Sequence, residues 1–198
     1  MTIIKVLRRM FICIRTWIHC VRIGWNFDKT WNIGGGILVK KMPKYVALIH
    51  HTTPGVIKIG KNFHCANAPQ YNSIGTIQPC IFNYSKPNSI IEIGDNVGIS
   101  GSTINASTRI KIGNNVLIGS GCIITDTDSH PLNWDDRLRN DDSKTKSKPI
   151  IIEDNVFIGA RSIILKGVTI GYGSVIGAGS VVTQSIPPNV VACGNPAK

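Results

Sequence analysis

Aromatic residues are scarce in this sequence. They make up 7% of its 198 positions, while the hydrophobic share as a whole is 42%. That hydrophobic content is typical of a folded protein rather than a disordered one, and a core packed around aromatic rings is not expected. One domain of ordinary size suffices at this length. The core is therefore predicted to consist mainly of aliphatic side chains.

The six cysteines include no C-x-x-C pair and no dense cluster. Their spacing indicates neither a zinc site nor a disulfide framework. We therefore predict a protein without a metal, in the reducing environment of the cytoplasm.

Acidic residues are nearly absent from the first 61 positions, where Asp28 stands alone beside 11 of the 22 lysines and arginines. This stretch thus carries +10 of the net charge of +11. Such an uneven distribution usually indicates an anionic partner, which can be phospholipid, nucleic acid or a phosphorylated ligand. The alternative is a basic face that serves only solubility.

A long uncharged apolar run is also missing. Arg9 and Arg15 bracket five uncharged residues, whereas a transmembrane helix needs roughly 20. A secretory signal would need an uninterrupted apolar stretch of roughly 7–15 residues and a small-residue cleavage site. We expect neither a membrane span nor export.

Residues 4–25 show a helical pattern instead. Apolar side chains recur there at alternating steps of three and four, at Ile4, Leu7, Phe11, Ile14, Ile18, Val21 and Trp25. Arg8, Arg15 and Arg22 make the opposite face cationic, and this combination suits the surface of an anionic membrane. The alternative is a helix that packs on the protein itself or on a neighbouring subunit. We predict a basic helical segment over 1–56, peripheral membrane contact through residues 4–25, and no nucleic-acid partner.

A six-residue repeat dominates the remainder of the chain. β-Branched residues recur without a slip at Ile152, Ile158, Ile164, Ile170, Ile176 and Val182. Most are followed four places later by a small or branched residue, at Val156, Ser162, Val168, Ser174 and Ser180. This is the pattern of hexapeptide repeats. The same phase appears earlier at Ile93 and Ile99, and again at Ile112 and Ile118, with one inserted residue between the two blocks.

Each hexad accommodates one short strand and a corner, so three hexads close a triangular coil of 18 residues. We predict a β-helix over 57–198, clearest between 93 and 187, with poor phase over 57–92. Small residues at the corners, including Cys122 and Ser162, are expected to pack rather than react. Spacing does not determine handedness, because parallel crossovers are normally right-handed.

The periodicity disappears between Pro131 and Pro149. Loops of this length inside a compact fold are uncommon and usually functional. The polar and aromatic residues of this one, among them Trp134, Asp135 and Arg137, suit a hydroxyl-rich ligand. We predict an excursion from the β-helix over 131–149 that contacts the substrate.

His130 stands where the regular coil ends and this excursion begins. A histidine there can take a proton near neutral pH. Asp126 and Asp128 would share its side of an extended strand, where a carboxylate could orient the imidazole or bind the acceptor. Taken alone, however, a loop histidine is more often an ordinary surface residue.

Three segments and the closing residues carry a family resemblance. They are I-G-D-N-V-G-I-S-G (93–101), the stretch from I-G-N-N-V to D-T-D-S-H-P (112–131), residues 151–183, and G-N-P-A-K (194–198). They resemble the hexapeptide-repeat O-acetyltransferases. Over roughly 57–198 the chain is similar to maltose and galactoside acetyltransferases and to capsule, lipopolysaccharide and colanic-acid acetyltransferases. The resemblance implies an all-β, left-handed parallel β-helix, acetyl-coenzyme A as the acetyl donor, and a homotrimer with active sites between subunits.

The resemblance also implies roles for individual residues. His130 would be the general base of a direct transfer to a sugar hydroxyl. The residues that would hold the coenzyme are Gly159, Ala160, Gly177 and Ala178, with Thr183 and Lys198 toward its nucleotide end. Acceptor contacts are expected from Asn83, Trp134, Asp135, Arg137 and Phe157, with Asn67 as a further candidate. Phe157 replaces a family tryptophan and Gln184 a common lysine, so acceptor preference and phosphate contacts are expected to differ.

We therefore predict an acetyltransferase that acts on a saccharide hydroxyl, of a surface polysaccharide, a lipopolysaccharide or a precursor. Serine or a xenobiotic as acceptor, and an inactive trimeric scaffold at the membrane, are the alternatives. A zinc-dependent carbonic anhydrase of the same fold would need three converging histidines. Apart from His130, the histidines are His19, His50, His51 and His64, all upstream of the clear repeats.

Overall fold

The computed structural model describes residues 55–67 and 72–198 in full and the backbone of residues 32–34 and 38–40. In the amino-terminal segment it describes Leu7, Met10, Phe11 and Ile14, which are helical and exposed. The other residues of the amphipathic helix predicted over 4–25 lie outside the described part, as do His19, His50 and His51. No helix among the described residues is long and apolar enough to span a membrane.

The strands form three parallel sheets, and consecutive strands of the chain pass from one sheet to the next. Sheet 1 contains β1 (Asn32–Gly34), β4 (His64–Ala66), β7 (Gly98–Ser100), β10 (Leu117–Ser120), β13 (Phe157–Ile158), β16 (Val175–Ile176) and β18 (Val191–Ala192). Sheet 2 contains β2 (Leu38–Lys40), β5 (Ile81–Tyr84), β8 (Thr103–Ala106), β11 (Ile123–Thr125), β14 (Ile163–Ile164) and β17 (Val181–Val182). Sheet 3 contains β3 (Val56–Ile59), β6 (Ile90–Ile93), β9 (Arg109–Ile112), β12 (Ile150–Ile152) and β15 (Thr169–Ile170). One strand from each sheet makes one coil of a parallel β-helix.

The repeat positions stack inside the coils as the six-residue period predicts. In sheet 1, Ile118 pairs with Ile99 in the preceding coil and with Ile158 in the next, which in turn pairs with Ile176. All four side chains are buried. Alternate residues of each strand point outward, so every strand contributes to both the core and the surface. The core is a column of aliphatic side chains along the axis.

The small residues at the corners pack, as expected. Ser102, Cys122, Ser162 and Ser180 are buried one above another between sheets 1 and 2. The Ser162 hydroxyl lies 2.8 Å from the carbonyl oxygen of Gly159 and 3.1 Å from that of Gly177. The Cys122 thiol lies 3.3 Å from the Gly159 carbonyl oxygen, and burial raises the pKa of this thiol. These side chains satisfy their polar atoms on the backbone and have no reactive role.

Asparagines form a ladder at the corner between sheets 3 and 1. Asn62, Asn96, Asn115 and Asn155 have φ between 54° and 61°, the left-handed region that asparagine tolerates better than other side chains. Each donates from its side-chain amide to the next, over 2.8, 2.9 and 3.1 Å. The ladder explains why asparagine recurs in the G-x-N sequences of the repeat.

The β-helix extends before the predicted start at residue 57. β1 and β2 lie within the stretch predicted as a helical segment, and they pair with β4 and β5. The poor phase over 57–92 also has a physical cause. A stretch of 14 residues, 67–80, separates β4 from β5, where a corner normally takes a few residues. This insertion interrupts the period without breaking the coil.

The excursion separates β11 from β12 and is stitched at its base. Its outgoing arm (126–130) and returning arm (145–149) form an antiparallel bridge between Thr127 and Ser147. The loop between the arms contains a short helix, α1 (Trp134–Leu138), and a 3-10 turn (Asp142–Lys144). Ile118 nevertheless pairs with Ile158 across it. The coils on either side therefore stack directly.

Candidate active site

His130 lies at the end of the outgoing arm, at the corner between sheets 2 and 3. Its side chain is 73% exposed, and Nδ1 lies 3.9 Å from Oδ1 of Asp142, a carboxylate in the 3-10 turn. A solvent-facing imidazole on a rigid coil can accept a proton from an incoming hydroxyl group. The structure thus places His130 where the sequence predicted it, at the base of the excursion.

Asp126 lies inside the molecule. Its Oδ1 accepts from the Ser107 N–H at 2.6 Å, and its Oδ2 accepts from the Thr108 N–H and hydroxyl, both at 2.7 Å, and from the Arg109 N–H at 2.9 Å. The carboxylate is completely buried. It therefore caps the corner between β8 and β9, one coil from His130, and all of these contacts are structural.

Asp128 forms an ion pair with Lys166, which follows β14 in the next coil. The side chains of Asp128 and Lys166 are 17% and 28% exposed, so most of the pair is shielded from water. The backbone N–H of Asp128 donates to the Lys146 carbonyl oxygen of the returning arm at 3.1 Å. Asp128 thus joins three segments: its own arm, the returning arm and the neighbouring coil.

The expected extended strand over 126–130 is corrected by the structure. β11 ends at Thr125, and Ser129 has φ 63°. A left-handed residue turns the chain, so His130 does not share one side with Asp126 and Asp128. Among the described residues, neither carboxylate makes a hydrogen bond or ion pair with His130. Direct support of the imidazole by Asp126 or Asp128 remains a prediction.

The predicted substrate residues of the excursion have different surroundings. Trp134 is 68% exposed on α1. Asp135 forms an ion pair with Arg139 one turn along the helix, over 2.5 Å. The Arg137 guanidinium donates to the carbonyl oxygens of Pro131 and Leu132, both at 2.7 Å. Trp134 therefore presents a free aromatic surface, whereas Arg137 holds the start of the loop.

Asn83 begins a polar ladder on the outer face of sheet 2. Its amide donates to Oδ1 of Asn105 at 2.6 Å, and the Asn105 amide donates to the Thr125 hydroxyl at 3.2 Å. Thr125 is the last residue before the outgoing arm, so this ladder leads toward His130. Asn67 is different, because it is buried and its Oδ1 accepts from the Cys80 N–H at 2.9 Å.

Phe157 belongs to an apolar stripe on the outer face of sheet 1. It pairs with Leu117 in the preceding coil and with Val175 in the next, and Val175 pairs with Val191. Leu117, Phe157 and Val191 are exposed in the isolated chain. Phe157 is thus on a different face from the excursion of its own chain.

The predicted coenzyme residues Gly159, Ala160, Gly177 and Ala178 come together at the corner between sheets 1 and 2, here named the Gly/Ala corner. The coils approach so closely that a Cβ on Gly159 would lie 2.5 Å from the Ala178 nitrogen. The Gly179 N–H donates to the Ala160 carbonyl oxygen at 2.8 Å. Among the described residues, no partner accepts from the N–H groups of Ala160 and Ala178. Both are available to a ligand.

The remaining coenzyme candidates lie in the last coils. Thr183 directly follows β17 and is exposed, as is Gln184. Lys198 exchanges backbone hydrogen bonds of 3.1 Å with Cys193, and its neighbour Ala197 donates to the Val181 carbonyl oxygen at 2.9 Å. Thr183 and Lys198 are therefore near the same end of the β-helix, beyond the Gly/Ala corner.

Comparison with known proteins identifies the family. Residues 109–125 and 149–184 match the model described as the hexapeptide repeat of succinyl-transferase. A hexapeptide-repeat-containing acetyltransferase from Vibrio cholerae has 31% sequence identity and a TM-score of 0.51, over 78% of this chain and 77% of its own. The chain belongs to the hexapeptide-repeat acetyltransferases. The predicted fold, a left-handed parallel β-helix of hexapeptide repeats, is confirmed.

Other members of the hexapeptide-repeat acetyltransferases match shorter segments. Galactoside O-acetyltransferase from Escherichia coli is 43% identical over 121 residues, which are 61% of this chain and 56% of the relative. Its counterpart from Lactococcus lactis is 48% identical over 94 residues, which are 48% of this chain and 44% of the relative. The chain thus spans about half the length of these relatives.

Sequence reasoning missed three contributors to this hexapeptide-repeat acetyltransferase site. Lys166 and Asp142 lie 38 and 14 residues from the aspartate and histidine that they contact, and no local pattern signals either pairing. Asn105 could have been found, because it occupies the outward position of a strand aligned with Asn83. Within the described residues, no group of three or more His, Cys, Asp and Glu side chains could hold a metal ion.

Proposed function

We propose that the chain transfers an acetyl group from acetyl-coenzyme A to a hydroxyl group of a saccharide, with His130 as the general base. The observation that carries this proposal is the exposed imidazole at the base of the excursion, on the corner of a rigid coil. Membership of the acetyltransferase family and the match to galactoside O-acetyltransferases support the acetyl donor and the acceptor class.

The proposed reaction proceeds without a covalent enzyme intermediate. His130 takes the proton of the acceptor hydroxyl as its oxygen attacks the thioester carbonyl carbon, which forms a tetrahedral oxyanion. Collapse of this intermediate breaks the carbon–sulfur bond, and the imidazolium returns the proton to the thiolate that leaves. The products are the acetyl ester and coenzyme A. A backbone N–H group would stabilise the oxyanion.

The Gly/Ala corner supports binding of the pantetheine arm. Pantetheine carries amide groups in a thin chain, and the N–H groups of Ala160 and Ala178 are donors of the required kind. Because Gly159 has no side chain, the two coils approach closely, so the N–H groups lie in a narrow column. The proposal assigns Thr183 and Lys198 to the nucleotide end of the coenzyme.

The position of this corner also supports a homotrimer. The Gly/Ala corner lies between sheets 1 and 2, whereas His130 lies between sheets 2 and 3, so sheet 2 separates the two groups in one chain. A second copy that packs against the apolar stripe of Leu117, Phe157 and Val191 would cover it and bring its own His130 to the corner. We therefore propose that each active site forms between two subunits.

Turnover of acetyl-coenzyme A against sugars, glycan precursors, serine and antibiotics tests the reaction. Replacing a general base typically costs 10²–10⁴-fold in rate, so we expect a loss of about that size in His130→Ala. His64→Ala, an exposed histidine on β4, is the matched control and should retain the natural rate. Equal rates for the natural protein and folded His130→Ala would refute the proposal. Preferential turnover of serine or an antibiotic would replace the saccharide.

Complementation tests the shared site. Ala178→Trp should block the Gly/Ala corner, and His130→Ala removes the base, so each variant alone should be inactive. When the two are refolded together, mixed trimers contain interfaces with a natural histidine and a natural corner. Recovered activity is expected, together with a mass three times that of the chain. Two inactive variants that remain inactive in a verified mixed trimer would contradict a site between subunits.

The amino-terminal segment supports contact with an anionic membrane, and we propose an acceptor that is met there. Leu7, Met10, Phe11 and Ile14 are helical, exposed and spaced as one apolar stripe. Flotation with phosphatidylglycerol vesicles should recover the full chain but not a chain that lacks residues 1–25. Equal flotation of both, or no flotation of either, would exclude this contact. Vesicles of neutral lipid are the control.

A further inference from the structure

The turn after β14 touches both arms of the excursion. On the outgoing arm, the Lys166 ammonium forms an ion pair with Oδ1 of Asp128. On the returning arm, the Gly167 N–H donates to the Lys148 carbonyl oxygen at 3.1 Å. Gly167 has φ +79°, and a Cβ there would lie 2.9 Å from Cδ of Lys148, so this turn requires glycine. Two consecutive residues of one coil thus hold the base of a loop that leaves another.

The two arms also hold each other. The Asp128 N–H donates to the Lys146 carbonyl oxygen at 3.1 Å, and the Lys148 N–H donates to the Asp126 carbonyl oxygen at 2.9 Å. His130 follows Asp128 by two residues and projects into solvent. Its ion-pair partner among the described residues, Asp142, is itself 74% exposed and lies 3.9 Å away. The contacts of the arm, rather than those of the imidazole, therefore determine where His130 lies.

Charge makes Lys166 the decisive member of this turn. Asp128 is mostly buried, and its second oxygen, Oδ2, is buried without a hydrogen-bond partner among the described residues. An ionised carboxylate in such surroundings is stable only beside an opposite charge. If Lys166 loses its charge, Asp128 can regain solvation only by moving toward water, and the arm that carries His130 must move with it.

We infer that Lys166 is a positioning residue for the acetyl transfer, which acts on His130 through Asp128. The inference rests on the proposed role of His130. Lys166 touches neither reactant in this assignment. It maintains the outgoing arm in the one arrangement that presents the imidazole to the acceptor hydroxyl and to the neighbouring subunit's coenzyme corner. This role requires a positive charge at the end of a long side chain, so arginine should replace lysine and methionine should not.

Three variants and one control test the inference. Groups that orient a reactive side chain typically contribute 10–100-fold, so Lys166→Met should lower kcat by about that factor and leave the KM for acetyl-coenzyme A unchanged. Lys166→Arg should recover most of the rate. Adding Asp128→Asn to Lys166→Met should also recover part of it, because no buried charge is then left alone. Glu92→Gln, which breaks an ion pair between coils far from the excursion, should keep the natural rate.

A second readout separates this inference from the proposed function. The imidazole signals of His130 in NMR spectra should shift in Lys166→Met and return in Lys166→Arg, whether or not the protein transfers acetyl groups. Natural kcat and unchanged signals in Lys166→Met would overturn the inference. So would an equal loss of rate in Lys166→Met and Lys166→Arg. An active His130→Ala would instead refute the proposed function, while the signals would still report whether Lys166 positions the arm.

Discussion

Replacement of Asp126 should destabilise the protein without affecting the chemistry of its folded form. The Asp126 carboxylate is completely buried and accepts four hydrogen bonds of 2.6–2.9 Å from the corner between β8 and β9. In Asp126→Ala three backbone N–H groups and the Thr108 hydroxyl lose their acceptor at once. In Asp126→Asn the oxygen that remains can serve the three donors of Thr108 and Arg109, but the new NH₂ group faces the Ser107 N–H.

The size of the effect follows from these contacts. A hydrogen bond to a charged group contributes about 1.5–3 kcal/mol, so four of them give an upper limit of about 6–12 kcal/mol. They converge on two atoms and are not additive, and water can enter the space that alanine leaves. We therefore expect a loss of about 4 kcal/mol for Asp126→Ala and about 2 kcal/mol for Asp126→Asn. In a chain of this size each kcal/mol lowers the Tm by about 2–4 °C.

Thermal unfolding and acetyl transfer should be measured on the same preparations. Asp126→Asn is expected to unfold some 4–8 °C below the natural protein and to keep its kcat per folded molecule. Thr108→Val is the matched variant, because it removes one of the four bonds and should cost about 1 kcal/mol. A natural Tm for Asp126→Asn together with a hundredfold loss of kcat would refute the reasoning and make Asp126 part of the catalytic machinery.

Three further results are expected. Ile158→Ala should lower the free energy of unfolding by about 2–5 kcal/mol, because it opens a cavity in the column of stacked side chains; denaturant titration measures it, and an unchanged midpoint would contradict that packing. Asn115→Gly should be nearly neutral while Asn115→Val destabilises, since φ is 55° there; equal stability of the two would show that the left-handed backbone is not required. The Arg109 hydrogen bond, together with the charge of Arg109, lowers the pKa of Glu92, so its stabilising effect is present above the ordinary pKa of glutamate and lost as the pH falls below it. Glu92→Gln should therefore be less stable than the natural protein at pH 7 and equally stable at pH 2.

The scaffold was predictable because its interactions repeat at short range. Ile158 and Ile176 must be inward if every sixth position is, and the small side chain of Ser162 follows from the space left at a corner. The asparagines with positive φ, such as Asn155, accompany the same period. The insertion of 67–80 between β4 and β5 hides that period, which is why the coils before Ile93 were not predicted from spacing alone.

The site was predictable only in part. His130 could be located because it marks the point where the repeat stops. Its surroundings depend on contacts between coils that no local pattern encodes, such as the pair of Asp128 and Lys166. A single left-handed residue, Ser129, also turned the arm away from the strand on which the alignment of the two aspartates depended. Sequence therefore gave the position of the candidate base but not the residues that hold it.

The direct pairing of Ile118 with Ile158 has a consequence for how this protein can diversify. Forty residues separate these two side chains in the chain, yet they are neighbours just as Ile158 and Ile176 are, which lie 18 apart. The coils are therefore indifferent to what is spliced between β11 and β12, provided that its two ends meet. Residues between Leu132 and Thr145 can be exchanged, lengthened or shortened at little energetic cost to the scaffold. New acceptor preferences can arise in this segment while the proposed base and coenzyme corner stay fixed.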